Sequence, residues 1–411
     1  MSALHLSQRG ALAPASPIRR LTPLADAARE RGLVVHQLNI GQPDIATPPA
    51  MIAAYRSYDE RVLAYAPSDG FRAYRERLAT YYTELSQDGG GATVSAADIV
   101  VTVGGSEALL FAIAAVCEPG DELLVCEPFY TNYAGFSHML GVNVRAVTTF
   151  AKDGFRIDPE RVEAAIGPKT RALCLPTPGN PTGVVLSRAD LEALAAICRR
   201  RNLYFICDEV YREFVYDGPE GSRAASLLSL ADFDEHAIII DSVSKRYSAC
   251  GARIGALVTR NKALREAALR FGQARLSPAT VDQYAAMAAL DTPPSYFREV
   301  VSEYRARRDA LVAGLRGIGV DCALPAGAFY LVAPLPIDDA DRFCRFLLEQ
   351  FDLDGETVML APASGFYATE GLGRTEARIA YVLDVPRLER CVTILGSAFA
   401  AYRAQKDVGR R

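Results

Sequence analysis

Lys245 sits in the run DSVSKRYSACGARIG, residues 241–255, with Ser242 three positions before it, Ser244 directly before it and Arg253 eight positions beyond. A primary amine flanked by hydroxyls and a guanidinium suits a lysine that forms a Schiff base with an aldehyde cofactor bearing a phosphate. The hydroxyls and the guanidinium would hold the dianion. Taken alone, the same pattern describes a solvated surface lysine. Three other groups carry similar chemistry. The apolar run Ile99–Val103 leads into Gly104, Gly105, Ser106 and Glu107. Two glycines allow close backbone approach, and the N–H groups of a helix start attract phosphate; an ordinary glycine turn with a serine cap fits equally. Asp208 closes the apolar run Leu203–Cys207. A carboxylate there is costly unless a cation faces it. A protonated pyridine nitrogen would be one such partner, and a helix cap or a buried salt bridge are the alternatives. Tyr211, three residues on, is within reach of the same ring. Asn180 lies in PTPGNPTG, residues 176–183, where proline and glycine stiffen the chain. A rigidly held amide suits a hydrogen bond to a phenolic oxygen, although such loops also serve as plain connectors.

The elements that must position these groups alternate. Strands are expected at Ile99–Val103, Glu122–Cys126, Val142–Val147, Arg171–Leu175, Leu203–Cys207, Ala237–Ile240 and Arg253–Val258, with helices at Glu107–Val116, Pro159–Ile166 and Arg188–Arg200. Near-continuous apolar strands separated by helices predict an α/β fold with a mostly parallel central sheet covered on both faces. Such sheets place ligands beyond the carboxyl ends of their strands, where the polar residues above collect. After about Val258 the texture changes to helices at Asn261–Gly272, Pro278–Leu290 and Tyr296–Gly314, short strands at Ala328–Val332, Thr357–Leu360 and Ala377–Val382, and a closing helix from Pro386 to about Ala404. This predicts a large domain over residues 45–290 and a smaller α+β domain made of residues 1–44 plus 291–411. The tail after Lys406 is expected to fray.

Composition excludes several classes. Half of the 411 residues are apolar and the formal net charge is −4, with no basic block of the kind that nucleic acid requires. No run is long enough to span a bilayer. The nine cysteines are scattered and none forms a Cys-x-x-Cys pair. They read as reduced core residues of a cytoplasmic protein, with no metal site.

In order along the chain stand NIGQPD, YAPSDG, VTVGGSEAL, EPFYTNY, PGNPTG, DEVY, SVSK, GARIG, GAFY and ARIAY, from Asn39 to Tyr381. This ordered set resembles the fold-type-I pyridoxal-phosphate enzymes of the class I/II aminotransferase family, in the aspartate-aminotransferase-like branch. The resemblance implies pyridoxal 5'-phosphate as cofactor and, position by position, a set of roles. Lys245 carries the cofactor and shuttles the proton; Asp208 pairs with the pyridine nitrogen. Asn180 and Tyr211 bond the phenolic oxygen, and Tyr130 stacks on the ring. Gly105, Ser106, Glu107, Ser242, Ser244 and Arg253 surround the phosphate, with Tyr65 reaching in from a neighbouring subunit, so a homodimer with shared active sites is implied. Arg378 grips the substrate α-carboxylate, aided by Gly41 and Asn180. Ile40, Tyr65, Phe329 and Tyr367 would line the side-chain end. Arg275 would either pair with a side-chain carboxylate or be a surface charge at a helix end.

The chain departs from the family pattern where a tryptophan is common at Tyr130 and at Ala252, and where a bacterial subgroup carries lysine at Ser106. These changes spare the cofactor set and bear on the distal side of the substrate. The implied activity is transfer of an amino group between an L-amino acid and a 2-oxo acid, with aspartate and 2-oxoglutarate as the first pair. Elimination, replacement or cyclisation on the same cofactor is the alternative, since both require Lys245 and Asp208. A regulatory ligand-binding relative would need a DNA-binding domain, for which the segment ahead of Asn39 leaves no room.

Overall fold

The computed structural model describes residues 4–219 and 221–408. Strand β1 (Val34–Gln37) is followed by the strands of a seven-stranded central sheet: β2 (Ile99–Thr102), β3 (Glu122–Glu127), β4 (Asn143–Thr148), β5 (Thr170–Pro176), β6 (Tyr204–Asp208), β7 (Ala237–Ser242) and β8 (Gly255–Val258). Their order is β2-β8-β7-β6-β5-β3-β4, and every pairing is parallel except those of β8, which runs antiparallel to both β2 and β7. The sheet is buried on both faces, as its unbroken apolar runs require. Along β6, Phe205 and Cys207 enter one core and Ile206 enters the other.

Local chemistry sets the covering helices. Ser187 and Asp190 form a reciprocal capping box at the start of Arg188–Arg201. Asn202 ends that helix in the left-handed region, and Arg199, Arg200 and Arg201 complement its negative end. The helix expected from Glu107 begins earlier, at Gly104, and Arg253 is in a left-handed turn ahead of β8 rather than within it.

The later strands are β9 (Tyr330–Pro334), β10 (Glu356–Met359), β11 (Ala361–Pro362) and β12 (Glu376–Ala380). They form a three-stranded antiparallel sheet, β11-β12-β9, while β10 pairs in parallel with β1. Leu21, Ala25 and Leu38 share a core with Tyr304, Phe343, Val358, Ile379 and Leu395, so the N-terminal segment packs with the C-terminal one. Helices at Thr22–Glu30, Pro49–Ser57, Arg72–Gln87, Asn132–Leu140 and Ala340–Glu349 add to those expected. The helix Arg72–Gln87 escapes an apolar-periodicity reading because tyrosines and an alanine carry much of its buried stripe amid charged residues. The closing helix, Val385–Val408, continues past Lys406, and residues 409–411 of the expected frayed tail lie outside the described residues. No helix among the described residues is long and apolar enough to cross a membrane.

Candidate active site

Four parallel strands end at one rim. Asp208 closes β6, Ser242 closes β7 just before the turn carrying Lys245, β5 runs into the Asn180 loop, and β3 runs into Tyr130. The antiparallel β8 begins where its neighbours end: Gly255 pairs with both Ser242 and Thr102. Arg253, two residues ahead of β8, therefore meets the ends of β7 and β2.

The result is a small polar cradle. The helix Gly104–Val116 has no side chain capping its first turn. The Arg253 guanidinium donates to Ser244 Oγ at 3.4 Å, and the Ser242 hydroxyl donates to Ser244 Oγ at 2.8 Å. Space is minimal: a Cβ on Gly104 would stand 2.5 Å from an Arg253 nitrogen, and one on Gly255 would stand 2.5 Å from the Gly104 carbonyl carbon. Backbone amides, hydroxyls and a guanidinium converging at an uncapped helix start can hold a phosphate dianion.

Lys245 Nζ donates to the Gly41 carbonyl at 2.7 Å and lies 3.5 Å from Cys250 Sγ. Beneath this turn, Arg246 holds Asp241 through both carboxylate oxygens at 2.8 and 2.6 Å, and Tyr82 donates to the same carboxylate. Arg212 joins Glu209 to this buried network, which anchors the turn that presents the lysine.

Asp208 is buried and faces no cation among the described residues. Desolvation pushes its carboxyl up to about 6, opposed by hydrogen bonds from the Tyr133 hydroxyl at 3.0 Å and the Val210 amide. Arg378, on β12, is 1 % exposed. Its guanidinium donates to Asn180 Oδ1 at 3.0 Å and to the Asn39 carbonyl, and is flanked by the Tyr330 and Phe366 rings at 4.5 and 5.1 Å. Its Nε has no partner, and desolvation lowers the guanidinium's proton affinity. A buried carboxylate and a buried guanidinium, each short of a counter-charge, can take a cationic and an anionic partner respectively.

The profile of the family described as aminotransferase class I and II matches residues 34–391. The aspartate/prephenate aminotransferase of Thermus thermophilus is 33% identical over 383 residues, covering 90% of this chain and 93% of that one. The aspartate aminotransferase of Thermotoga maritima is 33% identical over 362 residues, covering 88% of this chain and 92% of its own. Among solved structures, the aspartate aminotransferase from Thermus thermophilus with maleate superposes with a TM-score of 0.86 at 29% identity, covering 96% of this chain and all of that one. This chain belongs to the aminotransferase class I and II family.

That family implies pyridoxal 5'-phosphate, and the residues present fit it. The phosphate cradle, the amine of Lys245 and the unpaired carboxyl of Asp208 supply acceptors and donors for phosphate, aldehyde and pyridine nitrogen, respectively. As a member of this family the chain also shows where other expected residues stand. Arg275 is not a surface charge: its guanidinium is mostly buried and meets Glu107 Oε1 at 3.2 Å, with further bonds to the Ser68 and Val101 carbonyls. The other Glu107 oxygen accepts from the Val103 amide at 2.8 Å. Both oxygens of Glu107 thus accept hydrogen bonds within the chain, and its charge is matched by that of Arg275. Phe329 is fully buried beneath Lys245, with Nζ 5.9 Å from its ring centroid, and stacks on Tyr304. Tyr367 donates to Glu376 at 2.6 Å. Tyr65 is 81% exposed on the surface of its own chain. Ile40 and Ser106 are half-buried at the rim, and the Tyr130 ring meets Tyr133 edge-on.

Two residues at the centre of the site escape the motif reading. Tyr133, from the EPFYTNY run, is the hydrogen-bond donor to Asp208. Its only signal in the sequence is a second tyrosine three positions after Tyr130. Tyr330, the last residue of GAFY, places its hydroxyl 2.9 Å from that of Tyr211. No spacing rule links residues 119 apart in sequence.

Proposed function

We propose that this aminotransferase uses pyridoxal 5'-phosphate on Lys245 to move an amino group between an L-amino acid and a 2-oxo acid, aspartate and 2-oxoglutarate being the first pair to test. The observation that carries this is the convergence at one rim of Lys245, the cation-seeking carboxyl of Asp208 and the anion-seeking guanidinium of Arg378. When bound, the cofactor supplies an aldehyde for the amine and a ring that accepts the electron pair left at Cα. Arg253, Ser242, Ser244 and the amides of Gly105 and Ser106 hold its phosphate. Asp208 keeps positive charge on the ring nitrogen. Asn180, whose Oδ1 is taken by Arg378, keeps its amide hydrogens for the phenolic oxygen, as Tyr211 keeps its hydroxyl. Tyr130 covers the ring face.

Arg378 orients the substrate carboxylate, and Lys245 Nζ, once released, takes the Cα proton and returns it on the cofactor side. Ile40 and Gly41 border the substrate. Arg275 and Glu107 shape the helix start rather than touching either ligand. Support for aspartate comes from the relatives' names.

The enzyme acts in the cytoplasm as a homodimer in which Tyr65 of the partner subunit completes the phosphate site. Exposed Val62, Leu63 and Tyr65, close together on one loop, support that interface. Two domains, 45–290 and 1–44 plus 291–411, flank the site.

The test is direct. Purified enzyme given aspartate should convert its cofactor to the amine form with stoichiometric release of oxaloacetate; no conversion across a broad donor panel refutes transamination. Lys245→Ala should lose both turnover and the visible band of the lysine-linked cofactor, and reduction with borohydride should leave the adduct mass on the peptide containing residue 245. Appreciable turnover in Lys245→Ala would refute the assignment.

A further inference from the structure

Tyr330 is 2 % exposed and touches three parts of the site at once. Its hydroxyl lies 2.9 Å from the Tyr211 hydroxyl and 3.4 Å from the Gly41 carbonyl oxygen. Its ring face lies 4.5 Å from the Arg378 guanidinium carbon. The fit around the hydroxyl is tight, since a Cβ on Gly41 would stand 1.7 Å from it. The Tyr211 and Tyr330 rings stand nearly perpendicular in edge-to-face contact, with centroids 5.6 Å apart, and their hydroxyls meet.

A phenol has a single proton to give, so the direction of the bond between these tyrosines matters. The Gly41 carbonyl already accepts from Lys245 Nζ at 2.7 Å, whereas its approach to Tyr330 is long, at 3.4 Å. The better acceptor for the Tyr330 proton is therefore the Tyr211 oxygen. Once Tyr211 accepts, its own proton is free for an acceptor in the site, and a donor that itself accepts a hydrogen bond is strengthened. Burial holds the Tyr211 phenol well above its usual range, so it keeps that proton.

We propose that Tyr330 is a positioning residue for the reaction. Its hydroxyl commits Tyr211 as a donor toward the phenolic oxygen of the cofactor, while its ring face holds the carboxylate-binding Arg378. This rests on the roles of Lys245, Tyr211 and Arg378 given above. One side chain then links the cofactor end of the site to the substrate end.

The test separates the hydroxyl from the ring. The phenolic oxygen carries negative charge beside the lysine-linked nitrogen, so a weaker donor on that oxygen makes the nitrogen harder to deprotonate. Tyr330→Phe should therefore raise the midpoint at which the visible band titrates by roughly half a pH unit, the size of one neutral hydrogen bond. It should lower kcat severalfold and leave the KM for the amino donor nearly unchanged. Tyr330→Leu should raise that KM as well, by removing the ring from Arg378.

If the hydroxyl acts through Tyr211, then Tyr211→Phe and the double variant Y211F/Y330F should titrate at the same midpoint. Incorporating 3-fluorotyrosine at position 330 alone, a stronger donor of nearly the same shape, should move the midpoint the opposite way and does not rely on the stability of Y330F. A normal wild-type band with an unmoved Y330F midpoint, or additive shifts in the double variant, overturns this inference alone. A wild-type protein with no such band after reconstitution overturns the functional reading beneath it as well.

Discussion

Asp208 meets a solvation problem that the chain leaves for a ligand to solve. Its carboxyl is raised to about 6, above the ordinary 3.8, by burial first, so the folded protein holds this proton more tightly than the unfolded chain does. The sign follows from linkage: without cofactor, stability is lost as pH rises from near 4 through about 6, a penalty of roughly 3 kcal/mol above that range. A cationic ring nitrogen removes the penalty. The gain in Tm on adding pyridoxal phosphate should therefore be larger at about pH 7.5 than at about pH 5, and Asp208→Asn should flatten that difference while raising the Tm of the cofactor-free protein at the higher pH. Equal gains at both pH values in the unaltered protein would contradict this. Arg378 is the matching case for substrate. Arg378→Ala should raise the KM for the amino donor about 10- to 100-fold, the worth of a charged hydrogen-bond pair, with little change in cofactor retention by equilibrium dialysis. An unchanged KM would remove it from the site.

At the level of elements, the reversed direction of β8 organises the cradle. A parallel strand in its place would put its own start at the far edge of the sheet and carry Arg253 away from Ser242. Gly255 is the price of this arrangement, because three backbone atoms, Gly104 C, Asp241 O and Gly105 N, lie 2.5 to 2.7 Å from where its Cβ would be. None of them is a flexible side-chain end. Gly255→Ala should cost about 1–3 kcal/mol by overpacking, read as a lower midpoint in urea, and should loosen the cofactor at the same time. Much of this level is legible in the sequence. The runs at Leu123–Cys126, Leu203–Cys207 and Ala237–Ile240 are apolar throughout, which only a doubly covered strand requires. The helix Arg72–Gln87 is not legible in that way, since Tyr82 is buried there to serve Asp241, a partner 159 residues away.

For the molecule as a whole, the exposed loop bearing Val62, Leu63 and Tyr65 carries the prediction. Water-facing side chains of that size, within four residues of one another, fit an interface better than a free surface. If the proposed dimer forms through this loop, Leu63→Glu should shift sedimentation from dimer toward monomer and depress turnover, by withdrawing Tyr65 of the partner subunit from the proposed phosphate site. A monomeric wild-type protein with full activity would dismiss both the interface and the shared site.

Local chemistry alone specified the apolar strand runs, the serine–lysine turn and the carboxylate at the end of β6, because each depends on residues a few positions apart. Three-dimensional packing decided which charges are already spent and which are free. Arg275 and Glu107 lie 168 residues apart and pair as opposite charges, whereas Arg378 and Asp208 meet no counter-charge among the described residues. It also decided that Tyr330 presents its hydroxyl to that of Tyr211 and its ring to Arg378, while Phe329 meets Tyr211 only ring to ring. Charge compensation in a buried site is a property of distance in space, and distance in sequence does not encode it.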